Sequence, residues 1–261
     1  MYAEERRRQI ASLTAVEGRV SVTELAQRFD VTAETIRRDL AVLSNEGIIH
    51  RVHGGAVASQ SFLTAEMPLD ARYRSASGAK SAIAHAALRY LPDAPGSGIF
   101  LDAGSTISNL ASLLLDDPRA GSWSIVTRSL PIALELSGGG LTNVHLLGGT
   151  VRALSQAVVG DTPLRALALM SADVAFIGTN ALTVDHGLSS ADPQEAAVKA
   201  SMVANARTVV VLCDSTKLGT DFLVSFASLD DIDVLIIDGD APASILAEFE
   251  SRGVEVVVVE D

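Results

Sequence analysis

The feature that most constrains the fold of this chain is a series of short, continuously apolar runs in its C-terminal two thirds. Three clear examples, all rich in β-branched residues, are RTVVVLCD (207–214), DVLIID (233–238) and VEVVVVE (254–260). Each run has the length of a strand, and segments with helical periodicity separate the runs. Strands that helices cover on both faces have this pattern. The sequence therefore predicts an α/β domain with a mostly parallel sheet and helices on both faces.

The predicted helices and strands of this domain alternate along the chain. Helices are predicted at 76–91, 105–115, 130–137, 155–170, 192–206 and 241–252. Strands are predicted at 98–104, 124–129, 144–149, 172–180, 207–214, 233–238 and 254–260. In α/β sheets of this kind a ligand binds beyond the carboxyl ends of the strands. The polar residues that follow each strand are therefore the candidate ligand-binding residues.

The first 58 residues have a different pattern, in which three short helices precede a hairpin. Helical spacing covers 3–15, 22–29 and the stretch from 33 to Gly47, which we expect to end the third helix. The runs IIHRV (48–52) and HGGAV (53–57) then read as two paired strands. Three helices with a tight turn before the last, followed by a hairpin, are typical of a winged helix-turn-helix domain.

Two adjacent arginines lie in the third helix of this domain. Ile36 and Leu40 fall on its apolar face, whereas Arg37 and Arg38 lie outside that face. Arginine at this position suits a helix that enters the major groove, because it can bond both guanine and phosphate. The alternative is a solvated helix on which Arg38 pairs with Glu34.

The charge of the chain is divided unevenly between its two parts. The formal net charge is −12, but residues 1–58 hold eight arginines and eight acidic residues, whereas residues 59–261 hold 12 basic and 24 acidic residues. A polyanion would be repelled by the second part, so a contact with nucleic acid is expected from the first. The negative surplus by itself has a simpler reading, since acidic proteins are common and charge aids solubility.

The motifs in the first part resemble the winged helix-turn-helix domain of the DeoR (deoxyribose operon repressor) family of bacterial regulators. The resemblance rests on TIRRDL (35–40), an L-x-x-x-G end (43–47) and R-x-H-G-G (51–55), which occur here together. It implies that the third helix and the wing bind double-stranded operator DNA. The predicted DNA-binding residues are Thr32, Glu34, Thr35, Arg37, Arg38, Arg51, His53, Gly54 and Gly55.

The stretch LDAGST (101–106) is the clearest ligand-binding candidate in the second part. It follows a strand and opens a helix, so a glycine, two hydroxyls and the free amides of a helix N-terminus come together. This combination suits a phosphate group. The alternative is that Asp102 and Ser105 only cap the helix, as such residues often do without any ligand.

The DeoR resemblance continues through this second part, in LDAGST, LLGG, FIGTN, QEAAVKASM and VLCDSTKLG. It implies an effector domain similar in fold to ribose-5-phosphate isomerase and glucosamine-6-phosphate deaminase, with a phosphorylated sugar as effector. The effector-binding residues that it implies are Lys80, Asp102, Gly104, Ser105, Thr106, Asn180, Glu195, Lys199 and Lys217. The position of Gly148, Gly149 and Asp214 at the ends of predicted strands adds these three residues. For Lys217 and for the Glu195–Lys199 pair, ordinary surface ion pairs remain the alternative.

An isomerase or deaminase fused to a DNA-binding module is the alternative function. Such enzymes need a positioned carboxylate base. In the isomerases a D-G-A-D-type stretch follows a central strand, and here the matching residues are Ile177-Gly178-Thr179-Asn180, which lack both carboxylates. Glu195 could still act as a base. Because both carboxylates of that stretch are replaced, we expect binding without turnover, and no catalytic residue is predicted.

Taken together, these observations predict three segments: a winged helix-turn-helix domain (1–58), a linker (59–76) and a sugar-phosphate-sensing domain (77–261). No apolar run reaches the roughly 18 residues that a membrane helix needs. The single cysteine and the scattered histidines predict no disulfide, no metal site and no cofactor, and favour the cytoplasm. The expected function is that of a repressor of a sugar-catabolism operon, acting as a homo-oligomer, either dimer or tetramer.

Overall fold

The computed structural model describes residues 3–17, 19–45, 49–52, 54–58 and 66–260. The chain forms two compact units, residues 1–67 and residues 68–261. No helix in the described ranges is both long and apolar enough to cross a membrane.

The first unit contains three helices and a small antiparallel sheet. Its elements are α1 (Ala3–Glu17), β1 (Arg19–Ser21), α2 (Val22–Phe29), α3 (Ala33–Asn45), β2 (Ile49–Val52) and β3 (Gly55–Ala58). The sheet has the strand order β1-β3-β2, with β2 and β3 paired as a hairpin. The predicted winged helix-turn-helix is confirmed. Strand β1 was not predicted, and Gly47, predicted to end α3, lies outside the described residues.

Hydroxyl side chains begin the second and third helices of this unit. The backbone N–H of Glu24 donates to Ser21 Oγ at 3.1 Å, and that of Thr35 donates to Thr32 Oγ1 at 3.2 Å. Between the two helices Asp30 adopts a left-handed conformation, with φ 51°. The turn is therefore tight, and α3 crosses α2 over a core that includes Leu25 and Ile36. These contacts position the outward face of α3.

The second unit is built around a seven-stranded sheet in which every pair of neighbouring strands is parallel. Its strand order is β15-β14-β12-β9-β4-β5-β6. The helices are α4 (Leu69–Arg74), α5 (Ser77–Ala87), α6 (Ser105–Leu114), α7 (Leu130–Gly138), α8 (Asp161–Leu167), α9 (Pro193–Ala204) and α10 (Ala243–Ser251). The sheet strands are β4 (Gly98–Leu101), β5 (Ser124–Thr127), β6 (Val144–Leu146), β9 (Ala172–Gly178), β12 (Ala206–Leu212), β14 (Val234–Asp238) and β15 (Glu255–Val259).

Two apolar layers cover the two faces of this sheet. Val174 and Phe176 of β9 pack into one layer with α5, α6 and α7, whereas Ala175 and Ile177 of the same strand pack into the other with α9. The same alternation occurs in β12 and β14. The continuous apolar runs of the sequence thus follow from burial on both faces, as predicted.

Two small antiparallel sheets were not predicted. They consist of β7 (Thr150–Arg152) with β8 (Ala157–Val159), and of β10 (Ala181–Thr183), β11 (Gly187–Ser190) and β13 (Val224–Ala227). The predicted helix at 155–170 was wrong over its first part, where β8 lies, and only Asp161–Leu167 is α-helical. Helix α4 lies within the range that we assigned to the linker and belongs to the second unit.

The order in which the strands are added to the sheet reverses between β4 and β9. Strands β5 and β6 follow β4 on one side, whereas β12, β14 and β15 follow β9 on the other. At such a topological switch point the two connections leave in opposite directions and open a crevice beyond the carboxyl ends of the strands. The residues that end β4 and β9 therefore line the place where a ligand is expected.

Candidate functional sites

The outward face of α3 carries two exposed arginines. The Arg37 and Arg38 side chains are 57% and 81% exposed, and each contacts Glu34, at 3.6 Å and 3.5 Å between the nearest charged atoms. The pairing with Glu34 that the sequence left open is therefore present. Exposed pairs of this kind contribute little to stability, so phosphates or bases can replace Glu34 at small cost.

A buried ion pair joins α3 to α1. The Nε of Arg6 in α1 lies 2.6 Å from Asp39 Oδ2, and both side chains are nearly inaccessible to solvent. Asp39 directly follows the two exposed arginines in α3. Sequence reasoning missed this pair, because two residues 33 positions apart give no local signal. Its effect is to fix the rotation of α3, and with it the direction in which Arg37 and Arg38 point.

The other predicted DNA-binding residues are described to different extents. Thr35 Oγ1 lies 2.9 Å from Thr32 Oγ1, so both hydroxyls take part in the helix cap. Gly54 has φ +79°, whereas a Cβ on buried Gly55 would overlap the carbonyl oxygen of Val20, so close packing against β1 explains this glycine without DNA. The side chain of Arg51 and the whole of His53 lie outside the described residues. Their contacts with DNA stay predictions.

In the second unit, Asp102 lies at the switch point and joins β4 to β9 and α9. Its Oδ2 accepts a hydrogen bond from the N–H of Gly178 at 3.1 Å and contacts the Nζ of Lys199. Lys199 also donates to the carbonyl oxygen of Gly178 at 2.8 Å. Asp102 is 0% and Lys199 2% exposed, and Gly178 is partly buried. The structure thus brings together two residues that were predicted separately.

Glu195, one turn before Lys199 in α9, has cationic and hydroxyl partners. Its Oε1 accepts from Arg152 Nη1 at 3.2 Å and from the hydroxyl of Ser155, and its Oε2 lies 3.4 Å from Arg128 Nη2. Glu195 is 2% exposed. The alternative of a surface pair with Lys199 is therefore wrong, since both side chains are buried among other charged groups.

Arg128 links the two buried carboxylates and was not predicted. It follows β5, its Nε donates to Asp102 Oδ1 at 2.6 Å, and its side chain is 1% exposed. The rule that polar residues follow strands could have found it, because the sequence reads SIVTRS at this point. Arg152 and Ser155 could not have been found in that way, since they belong to the unpredicted hairpin.

Mutual pairing sets the ionisation of this cluster. Burial alone would raise the pKa of Asp102, but the charges of Arg128 and Lys199 outweigh it and lower that pKa to about 2. The pKa of Glu195 is also lowered, because the same two cations outweigh the effect of its burial. Burial lowers the pKa of Lys199, and Asp102 offsets this only in part. Both carboxylates are thus ionised at neutral pH and poorly suited to accept a proton.

The predicted phosphate-binding turn lies directly beside Asp102. Gly104 precedes the first residue of α6 and has φ +136°, a conformation that favours glycine. Ser105 and Thr106, in the first turn of α6, are buried. The free N–H groups of this helix N-terminus therefore face the same end of the sheet as the charged cluster. That they bind a phosphate stays a prediction.

Lys80, Asp214 and Lys217 form a second group of charges near the end of β12. The Nζ of Lys80 donates to the carbonyl oxygen of Arg72, in α4, at 2.7 Å and to that of Ser75, just after α4, at 2.5 Å. Burial lowers the pKa of Lys80 to about 8, although the charge of Asp214 acts to raise it and that of Lys217 to lower it further. The structure therefore gives Lys80 a role in holding α4, whether or not a ligand is bound.

The remaining predicted effector residues lie outside the buried charged cluster. Asn180 is half-buried just after β9. Gly148 and Gly149 are exposed after the edge strand β6, which β5 separates from β4, and two strand spacings amount to roughly 10 Å. At Gly149, φ is +149° and a Cβ would crowd Val158 and Pro163, so packing accounts for this glycine. Neither glycine belongs to the buried charged cluster.

Two further features of the unit were considered as ligand sites. A cavity of about 280 Å³ lies beside the β10–β11 turn, and its lining, which includes His186 and Arg252, contains none of the predicted effector residues. Within the described ranges, no group of three or more His, Cys, Asp or Glu side chains is placed to hold a metal ion. The switch-point crevice is therefore the candidate supported by both sequence and structure.

Comparisons with known proteins agree on both units. Residues 6–62 match the model of the DeoR-like helix-turn-helix domain, and residues 75–239 match that of the DeoR C-terminal sensor domain. The chain is 38% identical to the HTH-type transcriptional regulator GlpR of Haloferax volcanii over 98% of each chain. It is 29% identical to the glycerol-3-phosphate regulon repressor of Escherichia coli K12, over 94% of this chain and 95% of that one.

Among solved structures, the second unit is similar to ribose 5-phosphate isomerase A of Neisseria gonorrhoeae. The match has a TM-score of 0.40 and 14% identity, and it covers 55% of this chain and 54% of that one. The full-length relatives named above are transcriptional regulators and repressors rather than enzymes, as the sequence predicted.

Proposed function

The chain belongs to the DeoR family of DNA-binding transcriptional regulators, and from this premise we propose that it is a repressor of a sugar-catabolism operon. In this proposal the first unit binds double-stranded operator DNA. A phosphorylated sugar binds the switch-point crevice of the second unit and relieves repression. The single observation that supports the effector half most strongly is the buried charged cluster of Asp102, Arg128, Glu195 and Lys199.

The first unit supports the DNA-binding half of the proposal. Arg37 and Arg38 are exposed on α3, and each forms a weak surface pair with Glu34. The buried Arg6–Asp39 pair limits rotation of that helix. A helix in a fixed orientation with exposed guanidinium groups can bind base edges in a groove, because contacts with bases need a defined direction.

The buried cluster supports the effector half because burying charge is costly. Removing ionised side chains from water costs several kcal/mol for each ion, and pairing restores this only in part. A well-packed apolar cluster would stabilise the fold as well or better. Charged groups that are nevertheless buried at the switch point of an α/β sheet, with pKa values shifted by one another, are typical of ligand sites.

The phosphate is the most specific element of the proposed effector. The N-terminus of α6, with Gly104 in a conformation that leaves its backbone accessible, adjoins Asp102 and can accept an anion. One relative carries the name glycerol-3-phosphate regulon repressor, which refers to a phosphorylated polyol. Both observations favour a phosphorylated compound over an unphosphorylated sugar.

The state of Glu195 supports binding without turnover. An isomerase or deaminase needs a carboxylate that can take a proton from carbon. Glu195 accepts hydrogen bonds from Ser155 and Arg152 and lies against Arg128, which lowers its pKa and its basicity. Ile177 and Asn180, which stand where the isomerases have carboxylates, supply no second base.

A route for the effector signal begins at the same cluster. Ser155, which contacts Glu195, lies in the β7–β8 turn, and the neighbouring Leu154 accepts a hydrogen bond from the N–H of Leu69 at 3.0 Å. Leu69 is the first residue of α4, the first described helix after the wing. Tyr73 of α4 also bonds Ser108 of α6 at 2.8 Å. An effector that moves Glu195 or α6 would thus act on α4, and through the chain on the DNA-binding unit.

The proposal includes a homo-oligomer, dimer or tetramer, that acts on operator DNA in the cytoplasm. Two helix-turn-helix units of an oligomer can bind two half-sites, which raises both affinity and specificity. The effector then needs to favour only one arrangement of the protomers in order to shift the population away from the DNA-bound form.

The DNA-binding half is tested by binding full-length chain to sequences selected from a random DNA pool. We expect Arg37→Ala and Arg38→Ala each to weaken binding by about tenfold or more, since a bidentate base contact contributes ~1–3 kcal/mol. The matched control is Arg207→Ala, an exposed arginine of the second unit. If neither variant in α3 weakens binding more than this control, α3 is not the recognition helix.

The effector half is tested by thermal unfolding with a panel of three-, five- and six-carbon sugar phosphates and their unphosphorylated counterparts. A bound effector at 100 times its Kd adds ~2.7 kcal/mol of stability, a shift of roughly 5–10 °C for a unit of this size. We expect at least one phosphorylated compound to produce this shift, and Asp102→Ala to abolish it. Equal shifts with phosphorylated and unphosphorylated sugars would contradict the proposal.

A further inference from the structure

Among the residues that the structure describes, one nitrogen of the Arg128 guanidinium has no hydrogen-bond partner. Its Nε bonds Asp102 and its Nη2 faces Glu195, whereas Nη1 is buried and has no hydrogen-bond partner among the residues that the structure describes. The whole side chain is 1% exposed, so bulk water does not reach this group. Within the described residues, a charged donor therefore remains unsatisfied in the buried cluster at the switch point.

A buried donor in this state needs a physical explanation. Folded proteins satisfy the great majority of buried polar groups, and leaving one unpaired costs ~1–3 kcal/mol, more for a charged group. A shorter or apolar side chain at this position would avoid that cost. Ligand sites are the usual exception, because the partner arrives with the ligand.

Arg128 is also held at its backbone, so that the free donor is a fixed feature. Its carbonyl oxygen accepts from the N–H of Val158 at 2.7 Å, and the next two residues are fixed in a similar way. The N–H of Ser129 donates to Thr127 Oγ1 at 3.1 Å, and that of Leu130 donates to the carbonyl oxygen of Gln156 at 3.1 Å. Strand β8 thus fixes the backbone at Arg128, while the carboxylates of Asp102 and Glu195 fix its guanidinium group. Such preorganisation lets a ligand bind without ordering the residue first.

From this arrangement we infer that Arg128 is a direct effector-binding residue, whose Nη1 donates to an anionic oxygen of the effector. The oxygen belongs to a phosphate or a carboxylate, because charge-assisted hydrogen bonds to guanidinium are about twice as strong as neutral ones. Under this inference Arg128 decides between acidic effectors and neutral sugars. It rests on the proposed function, because the crevice is an effector site only if that function is correct.

Charge balance in the cluster agrees with an acidic effector. Asp102 and Glu195 carry two formal negative charges, and Arg128 and Lys199 carry two positive charges, so these four residues sum to zero. Arg152 adds a cation that Glu195 shares with Asp192. An incoming anion thus meets a neutral cluster with a free cationic donor, and no carboxylate has to leave before it binds.

Titration calorimetry of the full-length chain tests the inference. The probes are glycerol 3-phosphate, ribose 5-phosphate, fructose 1-phosphate and glucose 6-phosphate, with glycerate and gluconate as unphosphorylated acids and the neutral sugars as a third arm. The variants are Arg128→Lys, which keeps the charge but loses the fork, and the charge-balanced pair Arg128→Gln with Glu195→Gln. Arg207→Gln, an exposed arginine, is the matched control.

We expect the wild type to prefer one of the two acidic arms to neutral sugars. Both sets of Arg128 variants should lose at least tenfold in affinity for the acid, with no comparable loss for neutral sugars, while circular dichroism remains native. Arg207→Gln should stay within about twofold. Preference for sugar phosphates identifies a phosphate at Nη1, and preference for the unphosphorylated acids identifies a carboxylate.

The outcomes separate this inference from the proposed function. If sugar phosphates bind the wild type and Arg128→Lys keeps their affinity within twofold, a water satisfies Nη1 and the inference fails, although the proposed function stands. If the wild type binds no acidic probe, the proposed function fails and the inference fails with it. If the charge-balanced pair is unfolded, Arg128→Lys alone decides.

Discussion

At the scale of single residues, charge pairing determines the state of the cluster at the switch point. Asp102 connects the ends of β4 and β9 through Gly178 and is itself paired with Lys199 and Arg128. Removing one charged member leaves a buried partner with fewer opposite charges, and breaking a buried pair typically costs 3–5 kcal/mol. Under the proposed function, an anionic ligand that changes one pairing would therefore change the balance of all of them.

Lys80 gives a pH dependence that can be measured without a ligand. Its pKa in the folded chain is about 8, below the ordinary lysine value of 10.5, because it is buried. Between these two values the unfolded chain binds more protons, so raising the pH favours the folded state. We expect the free energy of unfolding of the wild type to rise from pH 8 to pH 10, relative to Lys80→Met, in urea titrations.

Comparison with Lys80→Met removes the effect of the other titrating groups, because both proteins contain them. The neutral amine keeps two N–H groups for the carbonyl oxygens of Arg72 and Ser75, so the fold around α4 should persist at high pH. A difference between the two proteins that does not change with pH, or that falls as the pH rises, would contradict the assigned state of Lys80.

How much of the site could be predicted depends on how each residue is placed. Asp102 follows a strand, and Glu195 and Lys199 lie one turn apart at the start of a helix, so sequence pattern was sufficient to propose them. Arg128 follows β5 as Asp102 follows β4, but its importance comes from contacts 26 and 67 positions away. Contacts of that kind depend on the strand order, which the sequence alone does not reveal.

At the scale of elements, long and short strands differ in how well sequence predicts them. Strands β9 and β12 have seven residues each and are buried on both faces, so their apolar runs are unmistakable. Strands β7 and β8 have only three residues each and pair with each other. A run that short carries no clear period, which is why the region of β8 read as helix.

The missed β7–β8 hairpin supplies a test of how the signal is passed on. Ser155→Ala removes the hydroxyl that contacts Glu195 but leaves Arg152 and Arg128 as partners of that carboxylate. We expect effector and DNA each to bind within about threefold of wild type when measured separately. The effector-induced loss of DNA affinity, by contrast, should shrink several-fold, since typical coupling is 1–3 kcal/mol.

Ser137→Ala is the control for this prediction, because its hydroxyl bonds only the backbone of its own helix α7. Fluorescence anisotropy with labelled DNA, titrated with and without the stabilising sugar phosphate, measures the coupling directly. Unchanged coupling in Ser155→Ala would mean that the hairpin turn does not carry the signal to α4.

At the scale of the whole molecule, the two parts of the chain differ in charge. The surplus of acidic residues lies in the second part of the chain, whereas the first part has no net charge and presents Arg37 and Arg38. Screening limits charge effects in physiological salt to ~8 Å, so a negative effector domain does not prevent a local arginine face from binding DNA. That the two parts have different binding partners stays a prediction, drawn from a composition averaged over many residues.

The central claim is that occupancy of the crevice in the second unit controls DNA binding by the first. Its most direct test is the anisotropy titration of wild-type chain with selected DNA, with the most stabilising sugar phosphate or its unphosphorylated counterpart present. We predict that the sugar phosphate raises the apparent Kd for DNA at least tenfold, whereas the unphosphorylated sugar leaves it unchanged. A sugar phosphate that stabilises the chain through Asp102 and yet leaves the Kd for DNA unchanged would contradict the account.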